Sequence, residues 1–178
     1  KRAHENGYLY QGIRVMTWCP RCATALAKHE LVYKSVKEPS IFLKFKVKGK
    51  NEYLIVWTTT PWTIPFNLGI MVNPEIDYVK ARVGEEIWIV AKALASSVIN
   101  AVAGKEFEVL EELKGKQLEG IEYEHPFADE IPYYAEAKAK HPNVHTVLLS
   151  AEYVDVSAGS GLVHCAPGCG PEDFEVGK

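Results

Sequence analysis

The chain has 178 residues, 47% hydrophobic and 24% charged, as expected of one globular domain with a buried core. It holds no apolar run near the length of a membrane span and no signal-peptide pattern, so a cytoplasmic protein with no membrane partner is expected, and Lys1-Arg2-Ala3-His4-Glu5 with no initiator Met reads as the interior of a longer polypeptide. Net charge is −3, yet residues 1–50 carry 11 Lys or Arg against 3 acids and residues 51–178 carry 9 against 20, a balance that argues against sequence-specific duplex binding by the body and leaves a basic arm for phosphates.

Residues 1–40 read as that arm. Within it, Cys19-Pro20-Arg21-Cys22 places two thiols across a turn stiffened by proline, which suits half of a tetrahedral zinc knuckle with its other ligands outside the chain. Two unligated thiols are the alternative, and without a secretory signal no disulfide framework is expected. From Ile41 the pattern changes: Leu43, Phe45 and Val47 alternate with lysines, the period-2 mark of a half-buried strand. Gly49-Lys50-Asn51 turns the chain into a nearly all-apolar return strand, Tyr53 to Thr58, which delivers threonines at its end.

Short strands are expected at 69–72, 78–83, 87–90, 107–113, 118–123, 144–149 and 161–166. Lys92 to Ala103 has Leu94, Val98, Ile99 and Val102 on one helical face with Gly104 as its stop. A second helix fits only around Ala135 to Lys140. Many short strands with one or two helices predict a barrel-like or α+β domain inserted into something larger, and exclude a doubly wound parallel sheet.

Two segments carry chemistry. In Trp57-Thr58-Thr59-Thr60-Pro61-Trp62-Thr63-Ile64-Pro65-Phe66-Asn67, strand alternation puts Thr58 and Thr60 on one face and Thr59 on the other, and two prolines around Trp62 make a rigid loop ending on the amide of Asn67. In Gly159-Ser160-Gly161-Leu162-Val163-His164-Cys165-Ala166-Pro167-Gly168-Cys169-Gly170-Pro171-Glu172-Asp173-Phe174, a strand carries His164, and Pro171 suits the first position of a helix with Asp173 in its first turn. That carboxylate either complements the helix dipole or accepts a charge-assisted hydrogen bond from a substrate ammonium. A thiol nucleophile at Cys165 is disfavoured, because His164 and Cys165 are adjacent in a strand and point to opposite faces.

These two segments together resemble the editing domain of isoleucyl-tRNA synthetase, over essentially the whole chain, with Gly7-Tyr8-Leu9-Tyr10 to Ala27 similar to the linker entering that insertion. Valyl and leucyl relatives, which remain the alternative within the family, typically carry Arg after two threonines where this chain has Thr60. The resemblance implies a β-barrel-rich α+β editing domain of class I aminoacyl-tRNA synthetases with a few peripheral helices, residues 41–178, behind a linker arm, residues 1–40. It implies hydrolysis of valine misattached to isoleucine tRNA, and of valyl-adenylate, by water attack without a cofactor. Implied partners are the 3′ end of that tRNA and the catalytic domain of the parent synthetase.

Carried onto this sequence, the resemblance makes Thr58, Thr59, Thr60 and Asp173 the catalytic set. Asp173 holds the α-ammonium, His164 borders the side-chain pocket and helps exclude isoleucine, and Trp57, Trp62 and Asn67 line or brace the site. Cys169 stands where bacterial relatives often have histidine and is given no role. The competing class is a zinc-knuckle RNA-binding or docking module without chemistry, built on Cys19, Cys22 and the basic arm.

Overall fold

A computed structural model describes all of residues 1–178. The arm contains a single helical turn α1 (Arg2–Glu5) and a minimal hairpin of β1 (Trp18–Cys19) and β2 (Thr24–Ala25) around the Cys-Pro-Arg-Cys turn. None of its residues is buried before Ile41.

Beyond the arm the strands are β3 (Ile41–Val47), β4 (Glu52–Thr58), β5 (Gly69–Val72), β6 (Asp77–Val83), β7 (Glu86–Ala91), β8 (Glu108–Lys114), β9 (Tyr123–Glu124), β10 (Thr146–Leu149) and β11 (Leu162–Cys165). They form one mixed sheet that curls on itself. Antiparallel β3–β4 continues through parallel β4–β11, antiparallel β11–β5 and parallel β5–β10. On the other side β3 pairs with β9, and the bridge Glu122 to Thr146 joins the β9 segment back to β10. Backbone bonds from Tyr123 N–H to His145 O (3.1 Å) and Val147 N–H to Ile121 O (3.0 Å) complete the ring.

A second leaf branches from the same central strand. The first half of β4 pairs with β7 in parallel (Glu52 to Leu54 against Ile87 to Ile89), and β6 and β8 extend it antiparallel. Side-chain alternation then decides the layers: Leu54 and Val56 of β4 enter the ring with Phe45, Ile70, Val147 and Leu162, while Ile55 faces the leaf's outer layer with Val79, Trp88 and Val90. The helical segment over 92–102 covers that outer layer through Ala95, Val98 and Ile99.

This segment departs from the regular helix that its spacing predicts. It begins as a 3-10 turn (Lys92–Leu94) and widens into a π-helix (Ser97–Val102), with Lys105 N–H reaching back to Ile99 O at 3.0 Å. The wider winding seats Val98 and Ile99 on the sheet and turns Val102 out, leaving it 59% exposed. The strand expected over 118–123 is also shortened: Gly115–Leu118 is a 3-10 turn that plugs the ring with Leu118, and Gly120 in the left-handed region breaks the chain before β9. Likewise β10 starts at Thr146 and not at Val144, because His145 sits at φ 57°. The helix expected at 135–140 is α2 (Tyr133–Lys140), and Pro171 does open a short helix, α3 (Pro171–Val176).

Two glycines before β11 are required by close approach. A Cβ on Gly159 (φ +77°) would lie 2.8 Å from the Trp57 ring, and one on Gly161 (φ +76°) would collide with Ala91. The turn over 159–161 is thereby pressed against β4 and β7, which sets the position of Leu162 to Cys165.

Candidate functional site

Thr58 follows Leu54 and Val56 on the inward face of β4, so the strand ends by presenting a hydroxyl at one mouth of the ring. Its Oγ1 accepts the Thr60 backbone N–H at 3.0 Å, a local turn that bends the chain into the 3-10 helix Pro61–Phe66. Ile64 of that turn is buried in the main core and acts as a stopper. The bend gathers Thr58, Thr60 and Thr63: Oγ1 to Oγ1 distances are 3.3 Å for Thr58 and Thr60 and 3.4 Å for Thr60 and Thr63.

His164 completes this row. On β11 it shares the inward face with Leu162 and lies opposite Ile70. Its Nε2 is 2.8 Å from Thr63 Oγ1, and the Thr63 hydroxyl donates to the Thr60 carbonyl at 2.8 Å. Because that single proton is committed, Thr63 accepts from His164, and the ring is the Nε2–H tautomer. Nδ1 is then a buried acceptor with no partner. Burial pushes the imidazole pKa down to about 4, so His164 is neutral near pH 7. The two longer hydroxyl contacts are weak, and Thr58 and Thr60 can exchange them for a water or an ester oxygen at little cost.

Asp173 approaches from α3. Gly170 precedes the helix and Pro171 opens it, which places Asp173 at its third position. Its Oδ2 accepts the Ala166 backbone N–H at 3.1 Å, tying the carboxylate to the chain two residues beyond His164. Burial raises its pKa, the Ala166 N–H partly opposes this, and Glu172 adds to the rise. No ion pair of the chain includes Asp173. It is a half-buried carboxylate without a cation of its own.

The other expected site residues separate from this row. Thr59 points outward and is exposed. Trp57 lies on the opposite face of β4 from Thr58, under Gly159. Trp62 stands 65% exposed on the rim of the turn. Asn67 is fully buried, its amide donating to Gly69 O (2.7 Å) and accepting from the Tyr123 hydroxyl (2.5 Å), so its position is that of a brace. Thr63, absent from the expected set, is the residue that joins the threonines to His164. Only the three-residue winding of Pro61–Phe66, which alternation does not foretell, brings it there.

The cysteines stay apart. Cys165 is fully buried on the opposite face from His164, packed with Met71 and Val154, and burial followed by the Asp173 charge pushes its thiol up to about 12. Such a thiol is not a nucleophile near pH 7. Cys19 and Cys22 lie across their turn with Cys22 N–H donating to Cys19 Sγ at 3.4 Å, a contact that lowers the Cys19 pKa. They supply two ligands of a tetrahedral set, and no group of three or more His, Cys, Asp or Glu is placed to hold a metal ion. A cleft of about 440 Å³ lined by Leu68, Pro142, Leu148, Cys165, Pro167 and Val176 lies behind β5 and β11, away from the threonine row.

His125, like His164, is buried and held down to about 4 by burial. Both are neutral in the folded chain and take up a proton near 6.5 once unfolded, so their contribution is intact above about pH 6.5 and is lost as pH falls toward 4. Asp173, shifted upward, titrates with the opposite sign and offsets a small part. A fall in Tm of roughly 10 °C between pH 7 and pH 4 is expected by calorimetry. An unchanged Tm would mean that the two rings are solvated.

Over residues 1–121 the chain matches the family of tRNA synthetases class I (I, L, M and V). It is 54% identical along its whole length to the isoleucine–tRNA ligase of Pyrococcus furiosus and 46% identical to that of Sulfolobus acidocaldarius, and it spans 17% of the length of each. Among solved structures it is similar to GlLeuRS-CP1, with a TM-score of 0.59 and 17% identity over 76% of this chain and 56% of that one. The editing domain of P. knowlesi cytosolic leucyl-tRNA synthetase gives a TM-score of 0.55 and 12% identity over 76% of this chain and 60% of that one. At these identities the likeness is one of fold: a curled mixed sheet with few helices. No helix is long and apolar enough to cross a membrane.

Proposed function

We propose, from the premise that this chain belongs to the class I tRNA synthetases for isoleucine, leucine, methionine and valine, that it is the editing domain of an isoleucine enzyme and hydrolyses valine wrongly esterified to isoleucine tRNA. Residues 41–178 form the editing unit in this reading, and residues 1–40 the linker to a catalytic domain, with the 3′ end of the tRNA as the second partner. One observation carries it: the hydroxyls of Thr58, Thr60 and Thr63 run to a neutral His164, and two residues beyond it the Ala166 N–H holds the half-buried carboxylate of Asp173, which has no cation of its own.

The chemistry asks for three things. A valyl ester presents a protonated amine, a short branched side chain and a carbonyl. Asp173 binds the amine through a charge-assisted hydrogen bond, which also restores its ordinary acidity. The His164 ring, fixed by Thr63, walls the side-chain space and leaves no room for one more methylene. Such a wall matters because an apolar synthetic pocket discriminates one methylene by only about 10- to 200-fold.

Thr58 and Thr60 then orient the attacking water and donate to the carbonyl oxygen as it gains charge. The water oxygen bonds to the carbonyl carbon, the ester bond to the ribose breaks, and the proton goes to the leaving ribose oxygen. Thr59, Trp57 and Trp62 belong to this reading as outer contacts, Trp62 toward the terminal nucleoside. Valyl-adenylate offers the same aminoacyl group and is included as a second substrate. Zinc at Cys19 and Cys22, completed from outside the chain, would order the linker and takes no part in hydrolysis.

The chain is expected to deacylate valyl-tRNA(Ile) well above the spontaneous rate, measured with radiolabelled valine. Cys165→Ala is expected to retain that rate within about twofold, since a protonated buried thiol offers neither charge nor nucleophile. Release at the spontaneous rate would leave the docking module built on Cys19 and Cys22 as the reading. Loss in Cys165→Ala with the fold intact would point to a thiol mechanism.

A further inference from the structure

Behind the Pro61–Phe66 turn lies a second buried polar cluster that the proposed reaction does not touch. Its members are His125, Tyr134, Tyr123, Asn67 and His145, all buried, gathered from four separate parts of the chain. Their rings interlock: His125 and Tyr134 centroids are 4.3 Å apart, Tyr134 and His145 4.8 Å, and His125 and His145 5.3 Å.

The hydrogen bonds of this cluster converge on the turn. His125 Nδ1 accepts the Phe127 N–H at 3.1 Å, so its proton is on Nε2, which donates to Ile64 O at 3.0 Å. The Tyr134 hydroxyl donates to Pro65 O at 2.8 Å and lies 3.2 Å from His125 Nε2. Just past the turn, Tyr123 holds the Asn67 side chain, and His145 Nε2 lies 3.3 Å from Asn67 O. His145 is held at φ 57°, a conformation unfavourable for a non-glycine residue and fixed here by its N–H bond to Leu68 O at 2.7 Å.

Two consecutive carbonyls, Ile64 and Pro65, are thus gripped by side chains some sixty residues away in sequence. Pro61 and Pro65 make the segment stiff, so it shifts as a body. Whatever fixes its far half also fixes Thr63, whose contact to His164 is one short bond of 2.8 Å.

We propose that His125 and Tyr134 are positioning residues that set Thr63 against His164, and through that pair the size of the acyl pocket. The assignment rests on the editing reading for its effect on rate, but its geometric part stands on the Thr63–His164 bond alone. Neither residue touches substrate. Their action is to hold a wall at a fixed distance, where a displacement near 1 Å admits the longer side chain and misaligns the shorter one.

The test is Tyr134→Phe, which keeps the ring and deletes one donor, beside His125→Leu and His125→Gln, the latter retaining a donor toward Ile64 O. In Tyr134→Phe and His125→Leu, kcat on valyl-tRNA(Ile) is expected to fall roughly tenfold, one hydrogen bond's worth, with KM nearly unchanged because Asp173 still holds the amine. Release of correctly attached isoleucine is expected to rise. His125→Gln is expected to recover most of the loss. In 15N NMR, the His164 ring signals are expected to move in the first two variants.

A merely structural role would lower Tm and leave kcat per folded molecule and the His164 signals in place, and that outcome overturns the proposal. If the unmodified chain fails to release valine, the editing reading falls. The His164 signals then still decide the positioning role: movement in Tyr134→Phe supports it and stillness refutes it. Should Tyr134→Phe not fold, the comparison of His125→Leu with His125→Gln gives the same two answers.

Discussion

Asp173→Asn is expected to lower kcat/KM for valyl-tRNA(Ile) by about a hundredfold, the upper end of what one charge-assisted hydrogen bond supplies. Asparagine has nearly the same size and keeps an oxygen for the Ala166 N–H, so the bend between β11 and α3 survives. The substitution removes only the negative charge. As the carboxyl is half-buried and unpaired within the chain, its charge is poorly solvated before substrate arrives, and an incoming ammonium relieves that penalty as well as adding its own attraction. Rapid-quench deacylation assays measure the effect. A variant with near-normal kcat/KM and an intact melting transition would remove Asp173 from amine binding.

His164→Ala is expected to change selectivity more than rate: release of isoleucine from correctly charged tRNA should rise by tens of fold, approaching the range over which a pocket discriminates one methylene. The ring is 6% exposed and packed between Ile70 and Thr63, so its loss opens space at what the proposed reaction uses as the wall of the acyl site. It also frees the Thr63 hydroxyl. Release of valine should fall less, because the amine and carbonyl contacts lie elsewhere. The measurement is the ratio of isoleucine to valine release under single-turnover conditions. Isoleucyl-tRNA that stays as stable with the variant as with the unmodified chain would show that some other group forms the wall.

The ring was legible where the chain obeys a simple period. Leu43, Phe45 and Val47 alternate, and they line the interior. The apolar run from Tyr53 to Thr58 announced a central strand, and β4 has neighbours along both edges. What failed did so where local pattern and tertiary packing disagree. Val102 belongs to the apolar face of a 3.6-residue helix, yet the π-winding that seats Val98 and Ile99 carries it outward. Leu118 to Tyr123 has strand composition, but Gly120 and the need for a plug at Leu118 divide it.

In the site, the two motifs announced a hydroxyl row, an imidazole and a carboxylate. Thr63 and the cluster of His125, Tyr134 and His145 were not announced. Thr63 is brought in by a 3-10 turn, His125 and Tyr134 come from a Pro- and Ala-rich segment with no period to follow, and His145 comes from the head of an expected strand that its left-handed backbone shortens. Long-range side-chain bonds to backbone carbonyls leave no mark in a one-dimensional pattern.

Because Glu52–Thr58 is shared between the closed ring and the leaf that branches from it, loss of either part removes backbone partners from the other. Peeling β7 away strips partners from the start of the strand whose end bears Thr58, and Ala91 N–H loses Ser160 O at 2.9 Å in the same event. Melting is therefore expected to be a single cooperative step, in which a mutation far out on the leaf reaches the hydroxyls as lost occupancy of the folded state.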